Sequence, residues 1–140
     1  MATTFSAQRT AITLTAATEA DFIGVTGGAT STEIIEFISA ISTMGRKVRV
    51  KVYRDPTFVG NTTIIPVLVL GTAGTGATIH NTFTSVTSRG TLIGTYTITE
   101  DQAEKINLSL LRGNTQKALI TLEAINVDTT LDFAVIWTEV

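Results

Sequence analysis

The sequence predicts an all-β fold: an antiparallel β-sandwich or jelly roll of about eight strands with one short helix, in a single domain spanning residues 1–140. Several segments alternate apolar and polar residues with a period of two, as half-exposed antiparallel strands do. Turn-forming residues separate these segments at short intervals. Threonine, which favours strands, occurs 28 times among the 140 residues. A closed barrel satisfies the same pattern and stays open as an alternative.

Eight segments are predicted as strands. The alternation is regular in four of them, which are Ile12–Leu14, Val48–Val52, Ile106–Leu110 and Leu131–Trp137. It is less regular in the other four, which are Ile64–Leu70, Thr78–Thr87, Thr91–Thr97 and Ala118–Val127. Pro66 cannot donate a ladder hydrogen bond, so its segment is expected at a sheet edge or to begin after the proline. Trp137 is in phase with the apolar residues of its segment, which predicts a core position.

The short helix is predicted over about residues 31–44. Thr30 and Glu33 have the spacing of a capping box, and the apolar residues that follow fall on one helical face before Gly45. Four isoleucines and Thr43 are poor helix formers, so a strand is the alternative for this segment. The periodicity favours the helix, whose role would be to cover an end or edge of the sheet.

Side chains that carry chemistry are scarce, and the protein is therefore not expected to be an enzyme. The chain has no cysteine and a single histidine, His80, so a metal site or catalytic triad lacks its usual members. The segment Gly71–Gly76 resembles a nucleotide-binding loop, but Ala77 and Thr78 follow where a P-loop needs Lys and Ser or Thr. We expect no catalytic residue, no cofactor and no metal.

One segment concentrates positive charge. Residues 46–54 hold five of the ten basic residues, and in a strand their polar members share one face while three valines face the core. Such a stripe is a candidate surface for an acidic protein, although a merely solvated strand is the favoured interpretation. Nucleic acid is an unlikely partner because the chain is acidic and has few aromatic residues. The candidate interaction residues are Arg46, Lys47, Arg49, Lys51, Tyr53 and Arg54.

The surface is expected to carry little charge. Charged residues make up 16% of the chain and the net charge is −2, whereas a soluble domain has about 25% charged residues. A weakly charged surface tends to associate, which predicts an oligomer or a part of a larger assembly. No apolar run is long enough to span a membrane, and the start of the chain lacks the features of a signal peptide.

Size, the Met-Ala-Thr-Thr start, the richness in Thr, Gly and Ala, and the strand layout together resemble the small jelly-roll cement, or decoration, proteins of tailed-phage capsids. The resemblance covers the whole chain and includes no diagnostic motif. It implies a trimer on the capsid exterior, made in the host cytoplasm, that clamps the major capsid protein or another virion protein. The terminal segments and the basic strand would then be contact surfaces.

Two other functions are compatible with the sequence. One is a carbohydrate- or receptor-binding β-sandwich of a phage fibre or adhesin, for which Tyr53 and Tyr96 are possible sugar platforms. The other is a coat or tail-tube subunit that assembles by itself.

Overall fold

The computed structural model describes residues 3–27, 32–41, 46–64, 67–70, 77–99, 103–111 and 116–139. Each pairing between strands is antiparallel, and two sheets of five and six strands result. The predicted all-β sandwich is confirmed. Its strands are β1 (Thr3–Leu14), β2 (Glu19–Thr26), β3 (Thr32–Ile41), β4 (Val48–Arg54), β5 (Thr57–Ile64), β6 (Val67–Leu70), β7 (Thr78–Ser88), β8 (Thr91–Ile98), β9 (Ala103–Leu111), β10 (Lys117–Ala124) and β11 (Thr129–Glu139).

Eight of these strands have the connectivity of a jelly roll. The chain pairs as a nested hairpin, with β1 on β11, β2 on β10, β3 on β9 and β4 on β8. The nested hairpin is divided between two sheets with the orders β1-β11-β3-β9 and β2-β10-β4-β8. Two four-stranded sheets arranged in this way make a jelly roll. Six of these eight strands were predicted from the sequence, whereas β2 and β3 were not, and the other two predicted segments, Ile64–Leu70 and Thr78–Thr87, correspond to β6 and β7.

The other three strands form one insertion between β4 and β8. Strand β6 extends the first sheet beside β1, at its edge, as the position of Pro66 in the sequence predicts. Strand β7 pairs through Thr78, Ile79 and His80 with the end of β2, and β5 pairs along β7. We call the two-stranded unit of β5 and β7 the ribbon.

The core lies between the inner faces of the two sheets. Trp137 is 2% exposed and stacks on Phe5 with 5.8 Å between ring centroids, which confirms its predicted core position. Phe22 and Phe133 make an edge-to-face contact at 5.3 Å across the sandwich. Each fully buried side chain of this size stabilises the fold by roughly 1.5–3 kcal/mol. The apolar residues whose alternation predicts β4 and β11 are therefore the residues whose side chains fill the core.

The predicted helix over residues 31–44 is wrong. Residues Thr32–Ile41 form strand β3, which pairs with β11 on one side and with β9 on the other. The β-branched isoleucines disfavour a helix, and two neighbouring strands offer their backbone groups along the whole segment. Tertiary pairing thus outweighs the helical spacing of the apolar residues. Residues 42–44, the end of the predicted helix, lie outside the described residues.

Candidate functional site

The residues predicted as an interaction site lie on or next to β4, an interior strand between β10 and β8. The three valines of β4 are fully buried, so Arg49, Lys51 and Tyr53 project from the outer face of the six-stranded sheet, as the alternation predicts. These side chains are half-buried. Because β4 has a neighbouring strand on both sides, its basic residues are not at a sheet edge and do not serve to prevent pairing with another chain.

The pairing register aligns these residues with acids on the neighbouring strands. Lys51 is opposite Thr121 of β10, which is opposite Asp21 of β2. The next row along the strands joins Arg49 with Glu123, and Glu123 is opposite Glu19 of β2. The opposite charges of Arg49 and Glu123 attract each other, whereas the like charges of Glu123 and Glu19 repel.

Glu19 is the centre of this charged cluster. Its carboxylate lies 3.1 Å from Lys51 Nζ and 2.6 Å from a guanidinium nitrogen of Arg89, and it accepts a hydrogen bond of 2.9 Å from the Tyr53 hydroxyl. Arg89 comes from the connection between β7 and β8, and its Nε also donates to Asp21 at 2.9 Å. One carboxylate thus holds three donors from two parts of the chain.

These contacts change the protonation equilibria of the cluster. Burial raises the pKa of Glu19, but hydrogen bonds from Lys51 and Tyr53 and the charges of Arg89 and Lys51 outweigh it, so the pKa lies below its ordinary value. Burial, with the adjacent carboxylate of Glu19, raises the pKa of Tyr53 to about 12. Glu19 is therefore an anion at neutral pH and Tyr53 stays a neutral donor.

Three of the five cations in residues 46–54, namely Arg49, Lys51 and Arg54, have an acidic partner within the chain. Arg49 pairs with Glu123 at 3.0 Å, and the exposed Arg54 lies 3.9 Å from Asp55. Within the part of the chain that the structure describes, Arg46 and Lys47 make no ion pair. We call the outer-face cluster of Glu19, Asp21, Arg49, Lys51, Tyr53, Arg89 and Glu123 the charged face.

The ribbon covers another part of the same outer face. A Cβ built on Gly24 of β2 would lie 2.7 Å from the Phe83 ring and 2.8 Å from the Phe58 ring, so both rings sit directly on the glycine. Leu119, opposite Gly24, is fully buried although it belongs to the outer face. The two rings contact each other edge to face at 5.3 Å. Gly24 is thus the point where the ribbon rests on the sheet.

The outward surface of the ribbon is uncharged. Between Asp55 and Glu100 the sequence has one formal charge, Arg89, and that residue belongs to the charged face. Val59 is 57% exposed, and most of its exposed neighbours carry hydroxyl groups. This long interval with a single charge is the sequence signal for the surface, and basic or catalytic motifs do not reveal it. The exposed residues are Thr57, Val59, Asn61, Thr62, Thr63, Thr78, Thr82, Thr84, Ser85, Thr87 and Ser88.

A cleft of about 410 Å³ opens where the ribbon leaves β2 and β10. His80 lies here half-buried, 5.5 Å from the Phe58 ring, with Nε2 3.3 Å from Thr26 Oγ1. Burial and the charge of Lys117 lower the pKa of His80. A Cβ at Gly60 would collide with the His80 ring, so this close approach requires glycine.

The described residues bear on three other sequence hypotheses. Of the two possible sugar platforms, Tyr53 donates its hydroxyl to Glu19 and Tyr96 packs against the core, and both side chains are half-buried. No cluster of three or more potential metal ligands occurs in the described ranges. Nor does that part of the chain contain a helix long and apolar enough to cross a membrane. The segment Gly71–Gly76 lies outside the described residues.

Comparison with known proteins gives a weak likeness to viral capsid proteins. No family model and no curated protein matches the chain. A chain of the T13 particle of infectious bursal disease virus is 15% identical, with a TM-score of 0.28, over 100% of this chain and 39% of that chain. The VP2 subviral particle of the same virus gives 18% identity and a TM-score of 0.17 over 98% and 38%. This chain thus spans about two-fifths of their length, and a likeness at this level supports no function.

Proposed function

We propose that the protein is a structural virion subunit that cements or decorates the outside of a tailed-phage capsid as a small oligomer, with a trimer favoured. The observation that carries the proposal is the exposed surface of the ribbon, which is broad, rich in hydroxyl groups and uncharged. The jelly-roll connectivity supports it by analogy, because this architecture recurs in viral capsid proteins and also in lectins and cupins.

The charged side chains of the charged face also support a contact through the ribbon, because they already have partners within the chain. Lys51, Arg89 and Arg49 each have an acidic partner within the same chain, at 2.6–3.1 Å. A partner that used these cations would have to separate existing ion pairs. Among the described residues the ribbon has no ion pair that a partner would have to separate, and a weakly charged surface associates readily. We therefore assign the binding contact to the ribbon and not to the basic stripe.

Such contacts suit a repeated assembly. A cement subunit stabilises a shell by binding the assembled form better than the dispersed one. Each contact between uncharged surfaces is modest, but the copies in a symmetric oligomer act together and add avidity. We expect the partner to be the major capsid protein or another virion protein, and the attachment to depend little on salt.

Imaging and sedimentation test the proposal. The purified protein is examined by negative-stain electron microscopy and is then mixed with empty shells of the virus that encodes it. A small oligomer that sediments with the shells supports the cement function. Self-assembly into shells or tubes would instead show a coat or tail-tube subunit. A protein that stays monomeric and does not sediment with shells contradicts both assignments.

A further inference from the structure

The cleft beside the ribbon shares Thr78 and Val59 with the proposed assembly surface, and its other groups have no part in that function. Lys117 of β10 and Thr26 of β2 line it from the sheet, and Thr78 and His80 of β7 line it from the ribbon. Phe58 and the exposed Val59 of β5 add apolar surface. About 410 Å³ lies within the range of small-molecule sites, which is roughly 300–1,000 Å³.

Lys117 supplies a positive charge that is held in position. Its Nζ donates to the Phe58 carbonyl at 3.2 Å and lies 4.7 Å from the centre of the Phe58 ring. Among the described ion pairs none involves Lys117, whereas Lys51 and Arg89 of the same sheet are paired with acids. An ammonium group has three donors, so Lys117 keeps donors for an anion in the cleft.

The remaining polar groups of the cleft are neutral. Thr26 and Thr78 carry hydroxyls, which donate and accept hydrogen bonds, and Thr26 Oγ1 already contacts His80 Nε2. Burial and the charge of Lys117 favour the neutral imidazole. His80 Nδ1 is buried and has no hydrogen-bond partner among the described residues. The site therefore combines one cation with hydroxyl and apolar surfaces.

We propose that this cleft binds a small organic carboxylate that also carries hydroxyl groups, of the size and chemistry of a uronic acid. The carboxylate pairs with Lys117, the hydroxyls exchange hydrogen bonds with Thr26 and Thr78, and the carbon skeleton lies along Phe58 and Val59. This ligand uses every kind of group in the cleft, whereas an inorganic anion would use only the polar ones. The inference goes beyond the assembly function and does not depend on it.

Titration of the intact protein with glucuronate tests the proposal, followed by amide chemical shifts and by calorimetry. Glucose serves as the uncharged probe of similar size, and inorganic phosphate as an anion without a sugar skeleton. We expect saturable binding of glucuronate, with shifts at Thr26, Thr78 and His80. Glucose and phosphate should bind at least about tenfold more weakly, a difference of about 1.4 kcal/mol. Phosphate that binds as tightly as glucuronate would overturn the assignment, and so would glucuronate that does not saturate.

Two variants locate the contact. Lys117→Met should weaken glucuronate binding by about tenfold or more, and Lys47→Met, which removes an exposed lysine just before β4, should leave it unchanged. If Lys117→Met fails to fold, Thr78→Val provides the test, with an expected loss of several-fold. Equal effects of the two lysine variants would contradict the site. The native mass is measured on the same samples, so failure of this site is distinguishable from failure of the assembly function.

Discussion

Two regions on the outer face of the six-stranded sheet, the charged face and the ribbon, differ in their use of charged side chains. On the charged face, Glu19 and Asp21 hold Lys51 and Arg89 in contacts of 2.6–3.1 Å, so charge is used inside the chain. On the ribbon no charge is present, and hydroxyl groups and Val59 meet the solvent. The difference teaches that a cluster of charged residues in the sequence need not mark the binding surface. The surface that we propose as the binding contact lies where charges are absent.

Different forces hold the two regions to the sheet. The ribbon rests on Gly24 through the Phe58 and Phe83 rings, a contact made by burial of apolar surface. The charged face depends on hydrogen bonds and ion pairs that salt and acid weaken. Substitutions that separate these forces therefore test the comparison, and the burial contact should give the larger effects.

The largest effect is expected for Phe58→Ala. Phe58 is 4% exposed, and removal of a buried phenylalanine ring costs about 3–5 kcal/mol because apolar contacts are lost and a cavity remains. Urea unfolding measures the change in the free energy of unfolding. The neighbouring Val59→Ala, at a residue that is 57% exposed, is the matched control and should change it by no more than about 0.5 kcal/mol. Similar losses in the two variants would show that the ring does not anchor the ribbon.

The second largest effect is expected for Gly24→Ala, which should lower the free energy of unfolding by about 1–3 kcal/mol. The added methyl group would meet two aromatic rings at 2.7–2.8 Å, and such overpacking forces them to move. Thermal unfolding of the variant gives the size of the loss. The double variant with Phe83→Leu, which shortens the nearest side chain, should recover part of the stability. If Gly24→Ala proves neutral, the ribbon is not seated on this residue.

Glu19→Gln should lower the free energy of unfolding by about 1–2 kcal/mol, because three donors lose their anionic acceptor at a partly solvated site. Asp55→Asn, at an exposed pair of 3.9 Å, is the control and should cost little. Because the folded pKa of Glu19 lies below its ordinary value of 4.5, its contribution is present above that pH and is lost as pH falls through the folded pKa. Denaturant unfolding across that acid range should show a smaller pH dependence in Glu19→Gln than in the parent protein.

The smallest effect concerns His80. Its folded pKa lies below the ordinary value of 6.5, so the unfolded chain takes up a proton first as the solution is acidified. The free energy of unfolding should therefore fall by less than about 1 kcal/mol between pH 7 and pH 5 on account of this residue. His80→Gln should remove that part of the slope. An unchanged slope in the variant would show that other groups account for it.

The sequence predicts β4 and β11, in which one face is buried, and misses β2 and β5, in which the alternation is lost. Strand β11 alternates through Leu131, Phe133 and Trp137, and the structure buries these residues. Strand β2 was missed because Phe22 to Val25 are all buried, with the core on one side and the ribbon on the other, which removes the alternation. In β5 only Phe58 is buried, so this strand has no regular alternation of apolar and polar residues.

The candidate site was predictable in one part. The alternation of β4 correctly gives the face from which Arg49, Lys51 and Tyr53 project. Their partners Glu19 and Glu123 come from strands distant in the sequence, and only the register of β2, β10 and β4 brings them together. The cleft at Lys117 depends on the pairing of β7 with β2, which brings Phe58 to Lys117, and no local pattern encodes this pairing.

The central claim, that this protein works through the uncharged ribbon surface, is tested most directly by its native mass in low and high salt. We expect a native mass that is a small multiple of the 14.9 kDa chain and that stays the same in high salt. We also expect dissociation when Val59→Lys and Thr84→Lys add charge to the ribbon, while Lys47→Thr has no effect. A native mass equal to one chain, or an oligomer that high salt dissociates and the ribbon variants leave intact, would contradict the claim.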